Sequence, residues 1–280
     1  MTSIVAASSR SSGLRLRPAA YSVIDRCLTL QAARPTRSWL ARQIGVSPLL
    51  PEARSPFADA LGELKVARSL AALGAGWSIF HSVPVGEQGA EVDHLLIGPA
   101  GVFTVNTKSV GGHVWVGRTR ILVSGRREDY VGKSEREARR VHKRLSAATG
   151  SSVFVRPILV FVEPRRLTIR DHPASVTVLA DGELLGWLRE QTTVYPAGRV
   201  RDLVDAADVA STWSGESAGG DETRRQIQRF ERLDAEVCEA RRRMRTTKLA
   251  IWLSSTMVIV ASTLALIPTS VTELLAALAR

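Results

Sequence analysis

Residues 91–109 constrain this chain more than any other stretch. Two β-prone runs, 91–97 and 101–109, flank the turn-forming tetrad Gly98-Pro99-Ala100-Gly101 and predict a hairpin. A turn centred between Pro99 and Ala100 sets Asp93 opposite Asn106 and Glu91 opposite Lys108. Because strand side chains alternate, those four polar groups share one face. Val92, Leu96, Phe103 and Val105 share the other, which suits packing under a helix. A slip of one residue in the pairing would weaken the convergence without exchanging the faces within either strand.

The surrounding pattern predicts alternating helices and strands. Leu61, Leu64, Ala67, Leu70 and Ala71 recur at helical spacing over 58–73, and Gly74 and Gly76 end that helix. Strands are expected at 77–83, 153–162 and 176–179, with a short hairpin from 113–116 and 120–123. Further helices are expected over 131–148, from an Asp181 cap to Glu190, and over 199–213. The order predicts one α/β domain with a mixed sheet flanked by helices, assigned to residues 57–212.

The flanks read differently. Residues 1–56, rich in Arg, Ser, Ala and Pro, predict a mobile basic arm, which could fold on nucleic acid. Residues 213–220 form a Gly/Ser linker. Residues 221–248 form a charged helix whose narrow stripe of Ile227, Phe230, Leu233 and Val237 suits either self-association or docking on the domain. From Leu249 to Thr272 there is no charged residue, and the apolar run from Leu249 to Ile267 predicts a transmembrane helix over 249–268 with a short tail, 269–280. Arg241, Arg242, Arg243, Arg245 and Lys248 precede that run. The expectation is therefore a single-pass cell-membrane protein, held in the lipid bilayer with its N-terminal domain in the cytoplasm.

Composition excludes several classes. Cys27 and Cys238 are the only cysteines, so neither a disulfide framework nor a Cys-rich zinc module fits. No recurring metal-ligand spacing links the five histidines, and His94 falls on the apolar side of its strand. The glycines form no phosphate-binding or dinucleotide fingerprint. The net charge of +11 is weak testimony for nucleic acid, because residues 1–50 hold seven arginines against one aspartate. A more local basic signal is the helix carrying Arg136, Arg140, Lys143 and Arg144, whose spacing could follow a phosphate backbone.

The Gly62-Glu63 pair, the string Glu91-Val-Asp-His-Leu-Leu-Ile-Gly-Pro-Ala-Gly-Val-Phe103 and the following Thr107-Lys108 resemble the nuclease-related domain (NERD). That family is similar in fold to the PD-(D/E)-x-K nucleases, and the resemblance runs over about 57–189. It implies a restriction-endonuclease-like mixed sheet and phosphodiester hydrolysis with Mg²⁺ or Mn²⁺. By position it makes Asp93 a metal ligand, Lys108 the motif lysine and Glu63 the acidic residue from the first helix.

Asn106 departs from the family pattern, which has an acidic residue there. An amide oxygen can ligate Mg²⁺ but brings it no charge. Glu91, beside Asp93 on the same face, or Glu63 could supply the missing carboxylate. Two functions follow: a membrane-anchored nuclease-related hydrolase using Asp93, Asn106 and Lys108, or a catalytically degenerate module that binds nucleic acid or serves as a membrane-tethered scaffold.

Overall fold

The computed structural model describes residues 14–86, 90–213, 220–265 and 276–279. The chain divides into two compact units, residues 1–32 with 51–227 and residues 33–50 with 228–280. In chain order the helices and strands are α1 (Tyr21–Ala32), α2 (Trp39–Gln43), α3 (Arg54–Leu70), β1 (Ser78–Pro84), β2 (Glu91–Gly98), β3 (Gly101–Ser109), β4 (His113–Val116), β5 (Ile121–Val123) and β6 (Arg126–Glu128). They continue as α4 (Tyr130–Thr149), β7 (Val155–Val162), β8 (Arg166–Ile169), β9 (Thr177–Ala180), α5 (Leu184–Arg189), α6 (Ala197–Asp208) and α7 (Gly220–Ala265).

A five-stranded mixed sheet, ordered β1-β2-β3-β7-β9, organises the first unit. β1, β2 and β3 form an antiparallel meander, and β7 and β9 add on in parallel. The β2–β3 hairpin pairs His94 with Val105, Leu96 with Phe103 and Gly98 with Gly101, the register that the turn residues predict. Leu95, Ile97 and Val102 pack with Ala138, Val141 and Leu145 of α4 and with Leu203, Val204 and Ala207 of α6. Leu96, Phe103 and Val105 pack with Val66 and Leu70 of α3 and with Leu184 and Leu188 of α5. The sheet is therefore covered on both faces, which is why its central strands are apolar on both sides.

Gly62 lets α3 come close to β3. A Cβ there would meet Ser109 Cβ at 3.3 Å and Thr107 Cγ2 at 3.5 Å. This approach carries Asp59 and Glu63 to the end of the sheet. A smaller sheet, β6-β5-β4-β8, packs Val114, Val116 and Ile121 against Leu159 and Phe161 of β7. β6, Arg126-Arg127-Glu128, lacks apolar alternation, and pairing with β5 makes it a strand.

From Leu14 onward, the segment expected as a mobile arm carries defined elements in the first unit. Ile24 and Cys27 of α1 are buried, and Tyr21 donates its backbone N–H to Ser82 Oγ at 3.0 Å. The expected linker lies outside the described residues from 214 to 219.

In the second unit, residues 33–50 lie along α7. Arg37 pairs with Glu236 at 2.9 Å, Arg243 donates to the Arg42 carbonyl at 3.2 Å, and Gly45 sits so close that a Cβ would lie 2.5 Å from the Ala240 carbonyl oxygen. Phe230, Leu233 and Val237 are buried within the chain, so the stripe expected to drive self-association is already covered.

The transmembrane helix expected over 249–268, and with it the single-pass placement in the cell membrane and the bilayer contact, must be corrected. Among the described residues no helix is long and apolar enough to cross a membrane. α7 is charged through Lys248, and its charge-free part is described from Leu249 to Ala265. Ser254, Ser255 and Thr256 return their hydroxyls to the helix carbonyls at 2.8 Å but still dilute its hydropathy. Residues 266–275 lie outside the described residues.

Phe103 is fully buried between Trp77 and Trp187, with the Arg156 guanidinium 4.2 Å from its ring centroid. Phe103→Ala should lower the unfolding free energy by about 3–5 kcal/mol in urea titration. A loss below about 1 kcal/mol would contradict the packing described.

Candidate active site

The β2–β3 ladder ends at the pair His94–Val105, one residue short of Asp93 and Asn106 and three short of Glu91 and Lys108. Beyond it Asp93 uses its side chain where a backbone group would otherwise pair: Asp93 Oδ2 accepts the Thr107 N–H at 2.5 Å. The parting leaves room between the strands for side chains. Asn106 and Lys108 remain held by β7, where they pair with Leu159 and Phe161.

Lys108 is the centre of charge. Its Nζ donates to the Thr107 carbonyl at 2.9 Å and lies 5.8 Å from the Tyr130 ring centroid. Burial alone would push its pKa down. Asp93, Asp59, Glu63 and Glu137 outweigh burial and hold it above the ordinary lysine value. It is therefore an ammonium at neutral pH, suited to stabilising negative charge rather than accepting a proton.

The carboxylates around it are under the opposite pressure. Glu63 from α3 is 4% exposed, and its Oε2 has no hydrogen-bond partner. Burial, then repulsion from Asp93 and Glu91, drives its pKa well above the usual range, against the pull of Lys108. Asp59, one turn earlier, is also raised by burial, with Lys108 opposing and Asp93 adding to the rise.

Two of the expected roles shift. Glu91 is not a free ligand: Arg17 donates to its Oε2 at 3.0 Å and Ser22 at 2.5 Å. The first structured segment of the chain thus engages the carboxylate expected to compensate for Asn106. Burial still raises the Glu91 pKa, although Ser22 and Arg17 pull it down. Asn106 is 2% exposed; its Nδ2 donates to Ser134 Oγ at 3.3 Å and its Oδ1 has no partner.

The sequence reading missed Asp59 and Glu137. Glu137 lies on the inward face of α4, with Ser134, Ala138, Val141 and Leu145. It is 2% exposed, one oxygen lies 3.6 Å from Lys133, and its Oε2 has no partner. Its signal was a lone acid on the apolar side of an otherwise basic helix. His94, expected in the core, is fully buried and shares an Nδ1–Nδ1 contact of 2.9 Å with His81. Burial lowers both pKa values, so neither imidazole tends to charge.

The basic helix divides its labour. Arg136 pairs with Asp129 at 3.0 Å, and Arg144 donates to the carbonyls of Val85 and Thr212 at 3.2 and 3.1 Å. Arg140 and Lys143 are exposed and, with Arg144, Gly86 and Ser211, line a cleft of about 870 Å³. Glu137, Arg140 and Arg144 recur along α4 at spacings of three and four.

Among the described residues, no three His, Cys, Asp or Glu side chains converge into a ready-made metal site. The donor chemistry nevertheless suits a hard divalent cation. Glu63 Oε2, Asn106 Oδ1 and Glu137 Oε2 are buried oxygens without partners, in a cluster with surplus negative charge.

Residues 58–162 match the family model described as the nuclease-related domain. No curated protein matches the chain. Among solved structures, SfsA of Pyrococcus furiosus in complex with Ca²⁺ aligns with 56% of this chain at 16% identity and a TM-score of 0.18. The alignment spans about half of SfsA, 52% of its length, and a likeness at this level carries no argument.

The raised Glu63 pKa has a definite sign in stability. The fold favours the protonated carboxyl, so this contribution is present below the ordinary value of 4.5 and is lost as pH rises through the folded-state value. Without divalent ions, Glu63→Gln should therefore be more stable than the parent at pH 8, and the gain should vanish near pH 4.5. Urea unfolding at both pH values checks this. A variant less stable than the parent at pH 8 would mean that the carboxylate has a stabilising partner.

Proposed function

We propose that the nuclease-related domain hydrolyses phosphodiester bonds in nucleic acid with Mg²⁺ or Mn²⁺. The observation that carries this reading is a half-buried ammonium, Lys108, among carboxylates of which Glu63 and Glu137 each keep a buried oxygen without a hydrogen-bond partner among the described residues, at the point where β2 and β3 part. Asp93, Glu63 and the amide oxygen of Asn106 would hold the cation. When bound, it would polarise the phosphate and lower the pKa of a water. Lys108 faces the negative charge that builds on phosphorus oxygens as water attacks and the P–O bond to the leaving strand breaks. Because Lys108 stays protonated, a carboxylate of the cluster takes the proton of the attacking water.

Arg140 and Lys143, exposed along the adjoining cleft, suit the phosphates of the substrate backbone. Arg144 serves mainly to fasten the cleft walls, since both of its hydrogen bonds go to carbonyls.

Asn106 favours a second reading: a domain of this family that binds nucleic acid without cutting it. One assay separates the two. The full chain, retaining the Arg17–Glu91 contact, is incubated with single- and double-stranded DNA and with RNA in Mg²⁺, Mn²⁺ or EDTA. Metal-dependent cleavage is expected, falling at least about 100-fold in Asp93→Ala and in Lys108→Ala. Cleavage that survives both changes overturns the site. An inactive parent, with cleavage gained by Asn106→Glu, selects the binding reading. In the same preparations, Arg140→Ala with Lys143→Ala should flatten the salt dependence of binding by about two in log–log slope. An unchanged slope removes this cleft from the footprint.

A further inference from the structure

The second sheet, β6-β5-β4-β8, has a face that the acidic site does not use. Its strands are short, and their pairing decides which side chains share a side. Val114, Val116 and Ile121 turn inward onto Leu159 and Phe161 of β7, joined by Val123, Leu167 and Ile169. The alternate positions turn the other way. Trp115 of β4 pairs with Leu122 of β5 and with Thr168 of β8, and Leu122 pairs in turn with Arg127 of β6. One row of side chains therefore crosses the whole sheet on its outer face, a span of about 14 Å at about 4.8 Å per strand.

That row has an aromatic centre and a basic surround. Trp115 is half-buried, and its indole lies down along β4 over Gly117, where a Cβ would meet the ring at 2.6 Å. The Arg120 guanidinium is 5.6 Å from the ring centroid. Arg127 ends the row, and Arg166 flanks it by pairing with His113, two residues before Trp115. All three arginines are exposed. Among the described residues they join no ion pair, whereas Arg17 and Arg136 are each held by a carboxylate. Glu128, the acid within these strands, pairs with Ile121 and so falls on the inner side.

We propose that this outer face binds single-stranded nucleic acid, with Trp115 as the platform on which a base stacks and Arg120, Arg127 and Arg166 on the phosphates.

The chemistry of the face selects that occupant. Three guanidinium groups around a flat ring complement a polyanion that carries π-faces at regular intervals. A duplex hides those faces in its own stack, so an unpaired strand is what can offer them to Trp115. An acidic peptide would satisfy the arginines and leave the indole without a matching ring. Trp115 adds nothing to the core beneath: Val114 and Val116 build that cluster, and the indole lies outside it. None of these residues belongs to the acidic cluster around Lys108. The inference therefore goes beyond the proposed hydrolysis and does not rest on it.

The full chain is titrated in EDTA, where neither metal nor cleavage enters, and binding is read by fluorescence anisotropy. The probes are labelled single-stranded DNA, single-stranded RNA, duplex DNA of the same length and poly-glutamate. The variants are Trp115→Ala, Trp115→Phe and the triple change Arg120→Ala, Arg127→Ala and Arg166→Ala, each checked for folding by circular dichroism. Trp115→Ala should weaken single-strand binding about tenfold and duplex binding less than about twofold. Trp115→Phe keeps a ring and should stay within about threefold of the parent. The triple variant should flatten the log–log salt dependence for single strands by about two, at about 0.7 per phosphate.

A Trp115→Ala protein within about twofold of the parent on single strands overturns the proposal, as does Trp115→Phe binding no better than Trp115→Ala. An unchanged salt slope in the triple variant overturns it too, and decides alone should Trp115→Ala unfold because Gly117 is uncovered. Poly-glutamate bound more tightly than single strands, and released by Trp115→Ala, would make the face a docking surface for protein instead. Because no metal is present, failure of the proposed cleavage leaves this result untouched, and a silent Trp115 leaves the cleavage reading standing.

Discussion

The parting of β2 and β3 after His94 and Val105 is the constraint on which the site depends. A ladder continued to Glu91 and Lys108 would bring the backbones together and press the polar side chains into the layer beneath α4. Instead Asp93 spends one carboxylate oxygen on the Thr107 N–H, and the chain keeps a buried hydrogen bond while opening a gap in the sheet. β7 holds the other side of β3 in parallel register as far as Ser109, so Lys108 is fixed although its antiparallel neighbour has left. The rest of the site is assembled around that gap. α3 approaches closely because Gly62 has no side chain, α4 turns Ser134 and Glu137 inward, and the segment before α1 delivers Arg17 to Glu91.

Charge balance explains the arrangement better than any single residue. One ammonium cannot neutralise the carboxylates gathered at the end of this sheet, and burial raises the cost of each charge left over. The protein answers in several ways. Arg17 and Ser22 quiet Glu91, Asn106 replaces an acid by an amide, and Glu63 is driven toward its neutral form. On the proposed function, charge that is a burden without a cation would supply the binding energy for one. A site selected only for stability would have replaced Glu63 and Glu137 by apolar residues of similar size, since both lie among buried neighbours.

Much of this was legible in the residues. The Gly98–Gly101 turn and the alternation on either side of it predicted the β2–β3 register as far as His94–Val105, but not the parting that stops the ladder before Asp93 and Asn106. Periodicity located α3, α4 and α6 and the strand at β7. Composition misjudged other parts. The first 56 residues looked like a mobile arm because they are rich in Arg, Ser, Ala and Pro, yet Ile24 and Cys27 of α1 are buried. The short strand β6 exists only through pairing. The charge-free run after Lys248 suggested a bilayer span, but among the described residues no helix is long and apolar enough to cross a membrane. Glu137 was overlooked because, beside Glu135, an acid in a basic helix reads as charge compensation at the surface; only its burial reveals otherwise.

The central claim is that the buried acidic cluster around Lys108 is a divalent-cation site. Anomalous diffraction from crystals of the full chain grown with Mn²⁺ addresses it without reference to activity. The account predicts a manganese peak within about 2.5 Å of oxygens from Asp93 and at least one of Glu63, Asn106 and Glu137, with Lys108 beside it. A crystal saturated with Mn²⁺ that shows no peak in the gap between β2 and β3 would contradict the account.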